Sequence, residues 1–80
     1  MNQNLLYNVR RLLADSLRVD LGDIAMETQF GDLPQWDSMG HMEVLVALEK
    51  EYGVEVTAET ITELVSVVAI VQHIEANEND

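Results

Sequence analysis

Eighty residues without a cysteine exclude a disulfide-stapled scaffold, a zinc–thiolate centre and a thiol nucleophile, and they leave room for one small core rather than a deep cleft between two layers. Fifteen acidic residues against four basic ones give a formal net charge of −11, a field that repels phosphate backbones and steers toward basic protein surfaces, so nucleic acid is not the expected partner. Met1-Asn2-Gln3-Asn4 lacks a basic stretch followed by a long apolar run, and no apolar segment reaches the ~20 residues of a membrane span; the expectation is a soluble, cytoplasmic monomer with no membrane insertion, one domain over residues 1–80.

Leu5, Leu6, Val9, Leu12, Leu13 and Leu17 recur every three or four residues, which predicts a helix over about 4–17 with one wide apolar stripe, capped by Asn2 or Asn4. Arg10 and Arg11 read as solvated residues on its outer face. From Arg18 to Asp37 the periodicity fails and Gly22, Gly31 and Pro34 interrupt the run, so a long connection with at most a short turn of helix is expected. Leu21, Ile24, Met26, Phe30, Leu33 and Trp36 supply apolar pins that should keep this loop ordered. Trp36 is most simply one such anchor, although two residues before Ser38 it could also line the path of a group attached there.

Trp36-Asp37-Ser38-Met39-Gly40-His41-Met42 closes the loop and opens the most regular helical pattern of the chain. A serine or aspartate there ordinarily caps the helix by accepting from a free backbone N–H. The same position, at the positive end of a helix dipole, also suits a covalently attached phosphate, so the Ser38 hydroxyl could carry a phosphodiester. Stepping about 100° per residue from Ser38 to Tyr52 puts His41, Val44, Leu45, Leu48 and Tyr52 on one arc. Met39, Met42 and Val46 share another arc with Glu43, Glu49 and Lys50. The first should face the core; the second has the make-up of an adaptable partner-binding stripe, unless its methionines pack beneath the preceding loop.

Gly53 suits a C-cap, and Thr57 can start a short helix carrying Ile61 and Leu64, with Thr60 and Glu63 as a competing capping box. Ser66 can cap a last helix whose apolar set is Val67, Val68, Ile70, Val71 and Ile74. The β-branched run from Leu64 to Val71 could instead be a strand paired with Val54-Glu55-Val56, but the three-four spacing favours helix. Residues 77–80 have nothing to bury and should fray. The two histidines and the scattered acids make neither a zinc spacing nor a calcium loop, so no metal is expected.

Taken together, Asp37-Ser38-Met39 in register with Glu43-Val44-Leu45-Val46-Ala47-Leu48-Glu49 and Tyr52-Gly53-Val54-Glu55-Val56 resembles the acyl carrier proteins over nearly the whole chain. The resemblance implies an all-α four-helix bundle with a long ordered loop between helices 1 and 2 and a short helix 3. It implies that Ser38 receives 4'-phosphopantetheine from coenzyme A through a phosphopantetheinyl transferase, that Asp37 assists the transferase, and that the arm's thiol carries acyl groups as thioesters. Met39, Met42, Glu43, Val46 and Glu49 match the surface read by basic patches on acyl-processing enzymes, and Val44, Ala47 and Leu48 match residues that can border an acyl-sheltering cavity. Lys50 and Gly40 stand where the fatty-acid-synthesis carriers have acids, and Gln35-Trp36 replaces small residues. In these respects the chain looks more like stand-alone carriers of polyketide, aminoacyl or surface-polysaccharide assembly.

Two other readings remain at this point. An enzyme would pair Ser38 with His41, three positions on, but the histidine lacks an evident orienting carboxylate. An acidic helical adaptor would bind a basic protein and never be modified.

Overall fold

The computed structural model describes residues 2–78. Asn2 begins the first helix, its side-chain oxygen accepting from the Leu5 N–H at 3.1 Å, and α1 runs Gln3–Leu17. Leu5, Val9, Leu13 and Leu17, one per turn, are buried together with Ala14. Arg18 ends the helix in the left-handed region at φ 60°, and the Val19 N–H returns to the Ala14 carbonyl. A single 3-10 turn, Leu21–Asp23, follows. Then α2, Ser38–Tyr52, buries His41, Val44, Leu45 and Leu48 and stops at Gly53, whose φ of 69° is the left-handed C-cap conformation.

Thr57 and Thr60 form a reciprocal capping box that starts α3, Ala58–Glu63, so the cap is Thr57, as expected, and the competing box of Thr60 with Glu63 does not start the helix. α4, Val67–Glu78, buries Val67, Ile70, Val71 and Ile74, while Val68 is only half-buried. α1 packs against both α2 and α4, and α3 leans on α2, which makes the expected all-α bundle of four helices. No strand forms among the described residues beyond one antiparallel bridge, Gln29 to Ser66, so the β-branched run resolves as helix. α4 also carries residues 77 and 78 in helix against the expectation of a frayed end, and residues 79–80 of that expectation lie outside the described residues.

The long loop is held from three sides. Ile24 and Trp36 are fully buried, with Val19 and Leu33 packed against the same core. Met26 and Phe30 do not pin it: they are 48% and 41% exposed. Their place is taken by polar ties. Arg10, expected in solvent, donates from Nε to the Ile24 carbonyl and from a guanidinium nitrogen to the Leu21 carbonyl at 3.2 Å, because the loop folds back over α1 and offers carbonyls that need donors. Further along, the Phe30 N–H donates to the Val65 carbonyl at 2.8 Å and the Val67 N–H to the Thr28 carbonyl at 3.1 Å.

Candidate functional site

At the head of α2 the loop delivers Asp37 as N-cap, its carboxylate accepting from the Gly40 N–H at 2.9 Å. The cap is therefore Asp37, and Ser38 is the first residue of the helix. Ser38 is exposed, and no hydrogen bond among the described residues engages its hydroxyl. Free backbone N–H groups and the positive end of the helix dipole surround that position, so a phosphodiester on Oγ would meet favourable charge and reach solvent. The residues present thus fit a phosphate-linked arm.

Two close approaches fix the geometry of this corner. A Cβ on Gly40 would come within 2.2 Å of the Gln35 carbonyl oxygen and 2.8 Å of a Leu17 methyl, so the loop crosses α2 where only a hydrogen fits. Beside it, Trp36 Nε1 donates to His41 Nδ1 at 3.0 Å. An indole nitrogen can only donate, so Nδ1 is the acceptor and the proton sits on Nε2, which donates to the Ile61 carbonyl at 2.8 Å. Loop, α2 and α3 are thereby joined through one imidazole that is 4% exposed. Withdrawing the ring would orphan the buried indole N–H, at about 1–3 kcal/mol for a buried group left unpaired, and break the part-buried bond to the Ile61 carbonyl. Both ring nitrogens are committed away from Ser38, which is not the geometry of a nucleophile–base pair.

Phe30 meets the same imidazole edge-on, centroids 5.5 Å apart at 77°. With Met42, Ile61, Thr62 and Val65 it walls a mainly apolar pocket of about 450 Å³ that has Ser38 at its rim and His41 at its floor. Trp36 lies beneath this pocket, fully buried, and does not line it; its position is that of the packing anchor and not of a wall along an attached group's path. Sequence spacing carries no sign of the His41–Ile61 link, since a side chain meeting a carbonyl 20 residues away leaves no periodic trace.

The two arcs of α2 separate as charted. Met39, Met42 and Val46 are 81%, 42% and 43% exposed, and Glu43 and Glu49 are exposed among them. This stripe runs from Ser38 into a groove of about 420 Å³ against the end of α1, lined by Asp15, Arg18, Glu43 and Lys50 as well as Met42 and Val46. Val44 and Leu48 lie in the closed core, and Ala47 borders the α1–α2 groove instead.

Comparison with known proteins bears directly on this corner. The family model for the phosphopantetheine attachment site matches residues 8–74, from the second turn of α1 into α4. An acyl carrier protein of Helicobacter pylori is 32% identical over 73 residues, covering 91% of this chain and 94% of that protein. One from Thermosynechococcus vestitus is 37% identical over 68 residues, 84% of each, and one from Clostridium acetobutylicum is 35% identical over 69 residues, 86% of this chain and 90% of the relative. A match of that span, on a helical bundle that turns a serine outward beside its cap, defines a carrier module with covalently attached 4'-phosphopantetheine as its cofactor. The chain belongs to the acyl carrier protein family.

Proposed function

We propose that Ser38 is the attachment site and that the protein shuttles acyl or aminoacyl intermediates between cytoplasmic enzymes of fatty-acid, polyketide or another specialised assembly. The observation that carries this reading is the exposed Ser38 hydroxyl at the first position of α2, next to a cap that leaves it unencumbered. When bound, the arm supplies a thiol on which a load rides as a thioester. The chain itself does the rest by position. Asp37 caps the helix start by accepting from the Gly40 N–H, and the backbone N–H groups of the first turn left without partners favour the phosphate. Met39, Met42 and Val46 offer adaptable apolar contact, while Glu43 and Glu49 attract basic docking patches. The chemistry on the load belongs to those partners.

Coexpression with a broad-specificity phosphopantetheinyl transferase and intact-mass measurement tests the site. One phosphopantetheine should be gained by the wild type and none by Ser38→Ala. No gain in the presence of an active transferase would favour the unmodified adaptor.

A further inference from the structure

We infer that the Trp36–His41–Ile61 chain of hydrogen bonds bars the load from the bundle interior and keeps it in the surface pocket walled by Phe30, Met42, Thr62 and Val65. The inference rests on Ser38 as attachment site, and it reverses for this chain the expectation that Val44, Ala47 and Leu48 shelter an acyl group.

From the rim at Ser38 the inward route between α2 and α3 passes the His41 ring, the floor of the pocket. That ring is held at both nitrogens by partners on two other segments, and Phe30 rests on it edge-on. A chain passing inward must push the imidazole aside, stripping the fully buried Trp36 indole of its partner and breaking the part-buried bond to the Ile61 carbonyl. Beyond it Val44, Leu45 and Leu48 are fully buried, and Leu64 is 2% exposed. Any load, an octanoyl chain included, must offset that opening over and above what it already gains in the pocket outside, which is formed and mainly apolar. The device therefore suits small or polar loads that partner enzymes meet without first extracting them.

Isotope-labelled holo protein, loading verified by intact mass, is compared as its acetyl and octanoyl forms by NMR. Signals of Phe30, Met42, Thr62 and Val65 should move between the two loads, and those of Val44, Leu45, Leu48 and Leu64 should stay. Cleavage by hydroxylamine, referenced to the same coenzyme A thioesters, should differ by no more than about twofold between loads, because a load outside more than half the time is slowed no further. Core signals that move, or an octanoyl form slowed about tenfold, as for a load exposed only about a tenth of the time, overturn the inference. Trp36→Phe removes the indole donor while keeping an aromatic ring, and should let the octanoyl load reach the core signals; if it does not, these bonds are not the barrier. Should Ser38 fail to take the arm, the carrier reading falls separately. Titration of the unmodified protein with free S-octanoyl-pantetheine then decides the same question, pocket shifts supporting the barrier and core shifts refuting it. The wild-type comparison stands whether or not the variant folds.

Discussion

Substituting Gly40 by alanine sets two effects of opposite sign against each other at one atom. Helix propensity alone favours alanine over glycine by about 1 kcal/mol in a helix interior. The added Cβ, however, would sit 2.2 Å from the Gln35 carbonyl oxygen and 2.8 Å from a Leu17 methyl. The methyl belongs to a side chain that can rotate, but the oxygen is backbone, so relief requires the loop before Asp37 to move. Overpacking of this kind costs about 1–3 kcal/mol, and a contact so short belongs at the upper end, which leaves a net loss of about 1–2 kcal/mol. For a domain of this size each kcal/mol is worth roughly 4–8 °C in melting temperature. Urea unfolding followed by the fluorescence of Trp36, the single tryptophan, reads the change as a lower midpoint at constant slope. Gly22→Ala, where nothing lies within 4 Å, is the matched control and should stay within about 0.5 kcal/mol. A Gly40→Ala protein as stable as the wild type, or more so, would refute the claim that loop and helix touch there.

Removing the Arg10 ties by Arg10→Met should cost about 1–2 kcal/mol, and the Asp23 and Ile24 amides, which close the 3-10 turn, should exchange with solvent about tenfold faster. Unchanged exchange would mean that the loop is held by Ile24 and Trp36 alone. Reversing Glu43 or Glu49 to lysine should weaken transferase binding about two- to fivefold each, the usual worth of an exposed charge, and more than Glu55→Lys, an exposed acid beyond the end of α2. Equal effects in a titration would dissolve the recognition stripe.

Helices were legible because each rests on a local rule. The stripe in α1, the arcs of α2, Gly53 as C-cap and the spacing of Val67, Ile70, Val71 and Ile74 all depend on residues within a few turns of one another. The place of Asp37 and Ser38 at the head of α2 was legible for the same reason. The loop was legible only in part: Ile24 and Trp36 are buried and Leu33 packs on the core as the pins their spacing suggested, but its other anchors are a guanidinium reaching 14 residues along the chain and backbone bonds to Val65 and Val67. Met26 and Phe30 fit the pattern of pins, yet polar ties hold the loop and leave both exposed, which frees Phe30 to wall the pocket. His41 lay on the core arc by periodicity, but its two bonds join segments that spacing cannot relate.

The bridge between the loop and the head of α4 uses main-chain atoms at both ends, with Phe30 and Val67 as the donors. Such a fastening is indifferent to which side chains sit there, and only proline, which has no N–H to offer, would undo it at either donor. Residue 29 can therefore diversify as a polar surface while the wall of the pocket keeps its place, whereas Ser66 also caps α4, its Oγ accepting from the Ala69 N–H at 3.1 Å. A library randomised at position 29 should return mostly folded proteins.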